Sequence, residues 1–351
     1  MNEDERMEGG GIEKRKYHVQ NSIFYFIPSV TVLSLWAAYM LLSESFHLLP
    51  THWEYSLTML FGSLVAGATS EGGGAVAFPV FTKLLNVPPD IARTFSLAIQ
   101  TVGMGTASIV IFKYRIPIVP RALVISSISG AVGITLGTFF VAPVLKDTYF
   151  KLAFTILTLS FGFVLFMDIR NSQLQRFNDI RFHGRTGIAL LIGAGFMGGI
   201  FTSIVGTGID FITFSVLVLY FNVSEKVATP TSVILMAINS GIGFFLQGAV
   251  LGNFHGAVFD YWMVCVPVVT FGAPIGALIC SKVSRENIIR FLLFLITVEF
   301  VTTILLVGKD LDKASMIFSP LLCALLLVIF FSMNRARMKN LRAMGLLPEK
   351  N

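Results

Sequence analysis

The sequence predicts an all-α polytopic membrane protein: a duplicated, inverted repeat with about eight full spans and two glycine-broken helical hairpins. Three observations lead to that class. Of 351 residues, 54% are hydrophobic and only 13% charged, against about 25% charged in an average globular chain; the mean hydropathy is +0.77. The body between residues 22 and 333 divides into apolar runs close to the ~20 residues that cross a hydrocarbon core. Two longer apolar stretches are broken by glycine, and they align with each other. A water-soluble enzyme, a disordered chain and a disulfide scaffold are excluded by these numbers.

The elements follow in order. Residues 1–21 are acidic and then basic, without the apolar centre of a signal peptide, and read as a cytoplasmic N-terminal tail. Residues 22–53 supply an extra span and an outer loop. Full-length runs occupy 22–43, 91–112, 119–143, 148–167, 224–248, 257–281, 286–307 and 315–333. The stretches 54–86 and 188–222 are too long for one straight span. A 33-residue helix would measure about 50 Å at 1.5 Å per residue. The first breaks at Thr69-Ser70-Glu71-Gly72-Gly73-Gly74, the second at Val205-Gly206-Thr207-Gly208-Ile209-Asp210. A gapless shift of 136 residues aligns 62–105 with 198–241 and makes nine of 44 positions identical, where about three are expected by chance. Gly62/Gly198, Gly72/Gly208, Asn86/Asn222 and Ser96/Ser232 are among them. The chain therefore reads as a first repeat over 54–185 and a second over 186–314. Residues 315–351 form a last span and a basic cytoplasmic tail, whose Arg335–Arg342 segment is expected to set orientation and meet lipid.

Basic residues fix the orientation. If each broken stretch returns to the side it came from, 20 of the 26 Lys and Arg fall on the cytoplasmic side; with single crossings the split is 17 against 9. On the hairpin reading Lys83 and Arg93 are outer-loop charges. Three spans after each hairpin turn the second copy upside down, with both termini cytoplasmic in a cell (plasma or inner) membrane. Paired broken helices in inverted copies are the architecture of secondary transporters.

The breaks are the candidate site. Bare amides at Gly72, Gly73 and Gly74 open a helix over Ala75–Leu85, and Gly206, Thr207 and Gly208 open the matching one through Tyr220. A helix N-terminus carries partial positive charge and free donors, a natural anion site. Ser96 and Gln100 share one face of the following span, and Ser232 and Asn239 share the equivalent face in the second copy. Glu71, Asp210 and Glu299 lie at apparent membrane depth, where an ionisable group suggests function. Glu71 and Asp210 read either as proton-coupling acids or as caps of their own helix starts. His18, His47, His52, His183 and His255 lie in loops or the tail, so neither a metal nor another cofactor is expected. No nucleophile elbow, nucleotide-binding loop or paired catalytic dyad occurs, so no enzyme activity and no nucleic-acid partner is expected.

The run Gly62–Gly67, Glu71-Gly72-Gly73-Gly74, Phe78-Pro79-Val80, Val87-Pro88 and Ala92 resembles the TauE/SafE sulfite exporter family, over about 55–335. The resemblance implies a membrane carrier for small sulfur oxyanions or organosulfonates, such as sulfite or sulfoacetate. Glu71, Ser70 and the Ile209-Asp210 pair depart from the family's pattern, and the two extra carboxylates fit proton coupling, a cationic co-substrate or a substrate other than sulfite. The expectation is a secondary transporter of a small anion working by alternating access. The alternatives are a non-transporting membrane receptor or scaffold, and an anion channel.

Overall fold

A backbone removed from water must satisfy its own hydrogen bonds, and unbroken apolar runs do so as helices. The computed structural model describes residues 27–69, 73–170, 176–181, 184–308 and 311–346, and every regular element among them is helical. In chain order these are α1 (Ile27–Leu42), α2 (Leu48–Thr51), α3 (Trp53–Ala68), α4 (Gly74–Pro79), α5 (Pro89–Lys113), α6 (Pro120–Leu136) and α7 (Asp147–Arg170). They continue as α8 (Arg185–Val205), α9 (Ile209–Leu219), α10 (Glu225–Phe245), α11 (Ala257–Lys282), α12 (Arg285–Leu306) and α13 (Lys313–Ala343). Single π-helical turns extend α4 over Val80–Leu84, α6 over Gly137–Val141 and α10 over Leu246–Val250.

Among the described residues, seven helices are long and apolar enough to cross a membrane: α5, α6, α8, α10, α11, α12 and α13, with the π turns included where present. The expected run 148–167 lies within the 24-residue α7. The expected first span is described only from Ile27, as the 16-residue α1, followed across a 107° bend by a short helical stretch.

α3 ends at Ala68 and α4 begins at Gly74, on either side of the first glycine cluster, and Gly206–Gly208 separate α8 from α9. The limbs are unequal in the second stretch. α8 runs for 21 residues and could cross alone, whereas α9 has 11. Nothing interrupts the apolar sequence before Gly206, so the first limb grows to full length. Each stretch also brings its ends together. The Tyr55 ring at the start of α3 meets Phe81 edge to face at 4.9 Å. Phe177, ahead of α8, pairs with Val223, beyond α9, through Phe177 N to Asn222 O at 3.0 Å and Ser224 N to Phe177 O at 2.8 Å.

The two stretches end alike. Leu85 N bonds to Val80 O at 2.9 Å and Val87 N to Phe81 O at 2.8 Å; 136 residues later, Phe221 N bonds to Val216 O at 3.2 Å and Val223 N to Leu217 O at 2.9 Å. Asn86 and Asn222 take the left-handed conformation, at φ 53° and 56°. Asparagine tolerates that region better than other side chains, which explains an identity at this loop position.

Helices cross where glycine lets backbones touch. A Cβ on Gly67 of α3 would lie 1.8 Å from the Ala273 carbonyl oxygen of α11, and one on Gly133 of α6 would lie 2.1 Å from that of Phe196 in α8. The first helix of each copy thus packs on the third long helix of the other, with α5 and α10 side by side at the centre. α1 joins α11 through Ser29 Oγ to Thr270 O at 2.8 Å and Trp36 Nε1 to Met263 O at 2.7 Å. The periphery is apolar: Phe294, Leu305 and Leu321 are all more than half exposed, a surface suited to hydrocarbon rather than water.

Three sequence expectations change. The basic tail is helical as far as Ala343, and Arg337 is wholly buried rather than turned to lipid. Its guanidinium reaches Val218 O at 3.2 Å and Asn334 Oδ1 at 2.7 Å, because the last carbonyls of α9 lack helical partners and favour a cation. Lys83 and Arg93 are buried too, not outer-loop charges. The chain folds the ends of the first broken stretch inward, so residues that look like loop in sequence lie among helices.

Candidate functional site

Gln100 stands in the middle turn of α5 and is 2% exposed. Its Nε2 donates to Gly206 O at 2.7 Å, to Ser96 O at 3.1 Å and to Ser96 Oγ at 2.8 Å. Ser96 Oγ donates to the same Gly206 oxygen at 3.3 Å. The Gln100 stem also passes the first break, its Cγ 3.8 Å from where a Cβ on Gly73 would sit. One α5 side chain therefore bonds to the second break and stands near Gly73 at the edge of the first. Gln100 Oε1 has no hydrogen-bond partner and is buried. It borders a small cavity of about 10 Å³ between Met59, Ser63, Gly73, Gly103 and Ala273, room for about one water molecule.

The second break is closed on itself. Asp210, with no exposed surface, accepts from Thr207 Oγ1 at 2.9 and 3.1 Å, from Gly208 N at 2.9 Å and from Phe211 N at 3.1 Å. Ile209 N donates to Thr202 Oγ1 at 3.1 Å. The first amides of α9 are thus taken by the chain's own oxygens, and a fixed carboxylate sits where an anion would. Gly206 (φ 80°) and Gly208 (φ 147°) hold conformations that side chains rarely adopt.

The other expected residues are dispersed. Ser232 Oγ returns to Thr229 O at 2.8 Å, and Asn239 Nδ2 to Leu235 O at 3.0 Å, both bonds within α10. Asn239 Oδ1 is buried without a partner and faces α6, 2.6 Å from where a Cβ on Gly130 would lie. Gly74 opens α4. Glu71 and Gly72 lie outside the described residues.

Two polar features escape a reading from sequence. Lys83 Nζ pairs with Glu299 Oε1 of α12 and donates to Thr303 Oγ1 at 2.7 Å. Thr155 of α7 donates to the same Glu299 oxygen at 2.8 Å. Glu299 stands out in sequence as an acid within an apolar run, but its partner lies 216 positions away in an apparent loop. The second is Arg93, 7% exposed. The signal was there: Arg93, Ser96 and Gln100 stand at i, i+3 and i+7 and share a helix face.

A search of curated proteins and one of solved structures found no match. The sulfite exporter TauE/SafE family matches residues 55–306, well over half the chain, from the first turn of α3 to the end of α12. With its apolar helices, this is an integral multi-pass membrane protein, a membrane transporter rather than an enzyme, and it belongs to the TauE/SafE family.

Proposed function

We propose that the protein is a secondary transporter of a small sulfur oxyanion, sulfite or an organosulfonate such as sulfoacetate, working by alternating access. The position of Gln100, bonded to the second break and lining a small cavity with Gly73 of the first, carries this reading. The family's substrate class supports a sulfur oxyanion. An inverted repeat with hairpin-like breaks is supported by the matched loop closures at Asn86 and Asn222 and by the meeting ends of each stretch. The termini are assigned to the cytoplasm of a cell membrane on the basic-residue asymmetry.

On this reading the substrate site lies at Gly72–Gly74, Ser96 and Gln100. Gly206–Gly208 act as its wall, Ser232 and Asn239 as the polar face of the second copy. A cavity holding about one water cannot take a sulfur oxyanion, so on this reading the limbs part to admit substrate. Thr207 and the amides around Asp210 suit a capping carboxylate. Proton coupling is assigned to Glu71 in preference to Asp210. In proteoliposomes, saturable uptake of sulfite or sulfoacetate is expected, with counter-transport of unlabelled anion. Current without saturation would point to a channel, and absence of flux to a receptor or scaffold. Glu71→Gln should abolish the response to a pH gradient while anion exchange persists; an unchanged response removes Glu71 from coupling.

A further inference from the structure

Among the described residues, the other two buried basic side chains have close partners. Lys83 has Glu299, and Arg337 has Asn334 Oδ1 and Val218 O. Arg93 has no carboxylate within ion-pair distance. Its one hydrogen bond is a long one, Nη1 to Ser203 O at 3.4 Å; Nε has none, and the guanidinium carbon lies 5.6 Å from the centre of the Phe150 ring. An arginine stays charged when buried; the charge acting on it is Asp90, one turn earlier on the same helix and beyond ion-pair distance, and a buried cation with no paired carboxylate is costly to keep. The repeat offers a second argument. The position 136 residues on is Thr229, so the cation is specific to one copy and is not demanded by the duplicated architecture.

Its placement is informative. Arg93 lies on the same α5 face as Ser96 and Gln100, about one turn nearer the start of the helix. Its backbone carbonyl lies 3.1 Å from where a Cβ on Gly206 would stand, so the residue flanks the second break. A guanidinium presents five donors in a planar fork suited to two oxygens of one anion, and four of those donors have no acceptor among the described residues.

We propose that Arg93 is the charge that recognises the transported anion, holding two oxygens of a small sulfur oxyanion and passing it along the α5 face to Ser96 and Gln100. This rests on the transporter reading above and supplies what that reading lacks, a positive charge, because Asp210 already occupies the second helix start. It also predicts a preference for anions with two free oxygens on one centre over halides of equal charge.

The test measures half-saturation for sulfite in proteoliposomes and the upward shift of thermal unfolding by sulfite in detergent, for wild type, Arg93→Lys and Arg93→Gln. Loss of a charged fork should raise half-saturation by about ten- to a hundredfold in Arg93→Lys, with the sulfite-induced shift reduced. Arg93→Gln can still donate to Ser203 O, so it should fold yet show neither shift nor sulfite-dependent flux. Wild-type affinity in either folded variant overturns the role of Arg93. If Arg93→Gln does not fold, Arg93→Lys decides alone, because a purely structural cation would be satisfied by lysine and leave half-saturation unchanged. A wild type that neither binds nor moves sulfite or sulfoacetate overturns the transporter reading itself, and the present inference with it.

Discussion

Gly206 is where backbone conformation, steric contact and hydrogen bonding coincide. Its carbonyl receives Ser96 and Gln100, its φ is 80°, and a Cβ there would lie 2.6 Å from that of Ser96. Gly206→Ala is therefore expected to destabilise the protein by about 1–3 kcal/mol and to reduce flux, as measured by thermal unfolding in detergent and by uptake. Gly105 is the control: it is identical in both copies, whereas Gly206 answers to Ser70, and a Cβ on Gly105 meets nothing within 4 Å. Gly105→Ala should be neutral or stabilise by up to about 1 kcal/mol; equal damage at both positions would refute the steric account. Gln100→Leu keeps the bulk and removes the link to Gly206, so flux should collapse while insertion survives. Unimpaired flux in that variant would remove the bridge from the mechanism. The sequence made the breaks legible because glycine clusters within apolar runs have few other uses. It left Asp210 open between coupling and capping, since only coordinates show that four bonds to its carboxylate arise within its own break.

At the scale of elements, the return limb of the first break is anchored by charge. Lys83 lies in the π-helical turn after α4; its partners Glu299 and Thr303 belong to α12, and Thr155 of α7 donates to the same Glu299 oxygen. None has a polar equivalent in the other copy: the shifted positions are Leu219, Phe163, Met167 and Phe291. Removing one partner leaves a charge buried, which costs about 3–5 kcal/mol, whereas an apolar pair of similar volume is close to neutral. Lys83→Met and Glu299→Leu should each lower the unfolding temperature sharply, and the double variant should recover most of the loss. Additive losses in the double variant would show that the pair is not coupled. Helix positions were legible from apolar run lengths, to within a few residues for α5, α10 and α12. This ion pair was not, because a contact across 216 residues depends on how the limb folds back. The buried Arg337 was missed for the same reason, since a basic segment after an apolar run looks like an orientation signal until α9 is seen to end beside it.

For the whole molecule, the question is whether each broken stretch returns to its starting side. Phe177 pairing with Val223, and Arg176 reaching Asn222 and Glu225, put the loop before α8 beside the start of α10. The 26 residues from Glu225 to Val250 are long and apolar enough for one crossing from there. Duplication was legible as nine identities in a gapless alignment; inversion is a reading of charge counts, which decide side but not shape. Single cysteines separate the two topologies. With the native cysteines replaced, Asn178→Cys should be labelled by an impermeant thiol reagent only from the cytoplasmic side, and Asn253→Cys only from the outside; both positions are exposed. Pro117→Cys, between α5 and α6, tests the first copy and should share the side of Asn178→Cys. If the first stretch crossed instead of returning, Pro117→Cys would label from outside while the N-terminus stayed cytoplasmic. The two copies would then not be inverted, and alternating access by exchange of equivalent halves would lose its structural basis. Labelling of 117 and 178 from one side and 253 from the other is the outcome expected if each break turns back within the membrane.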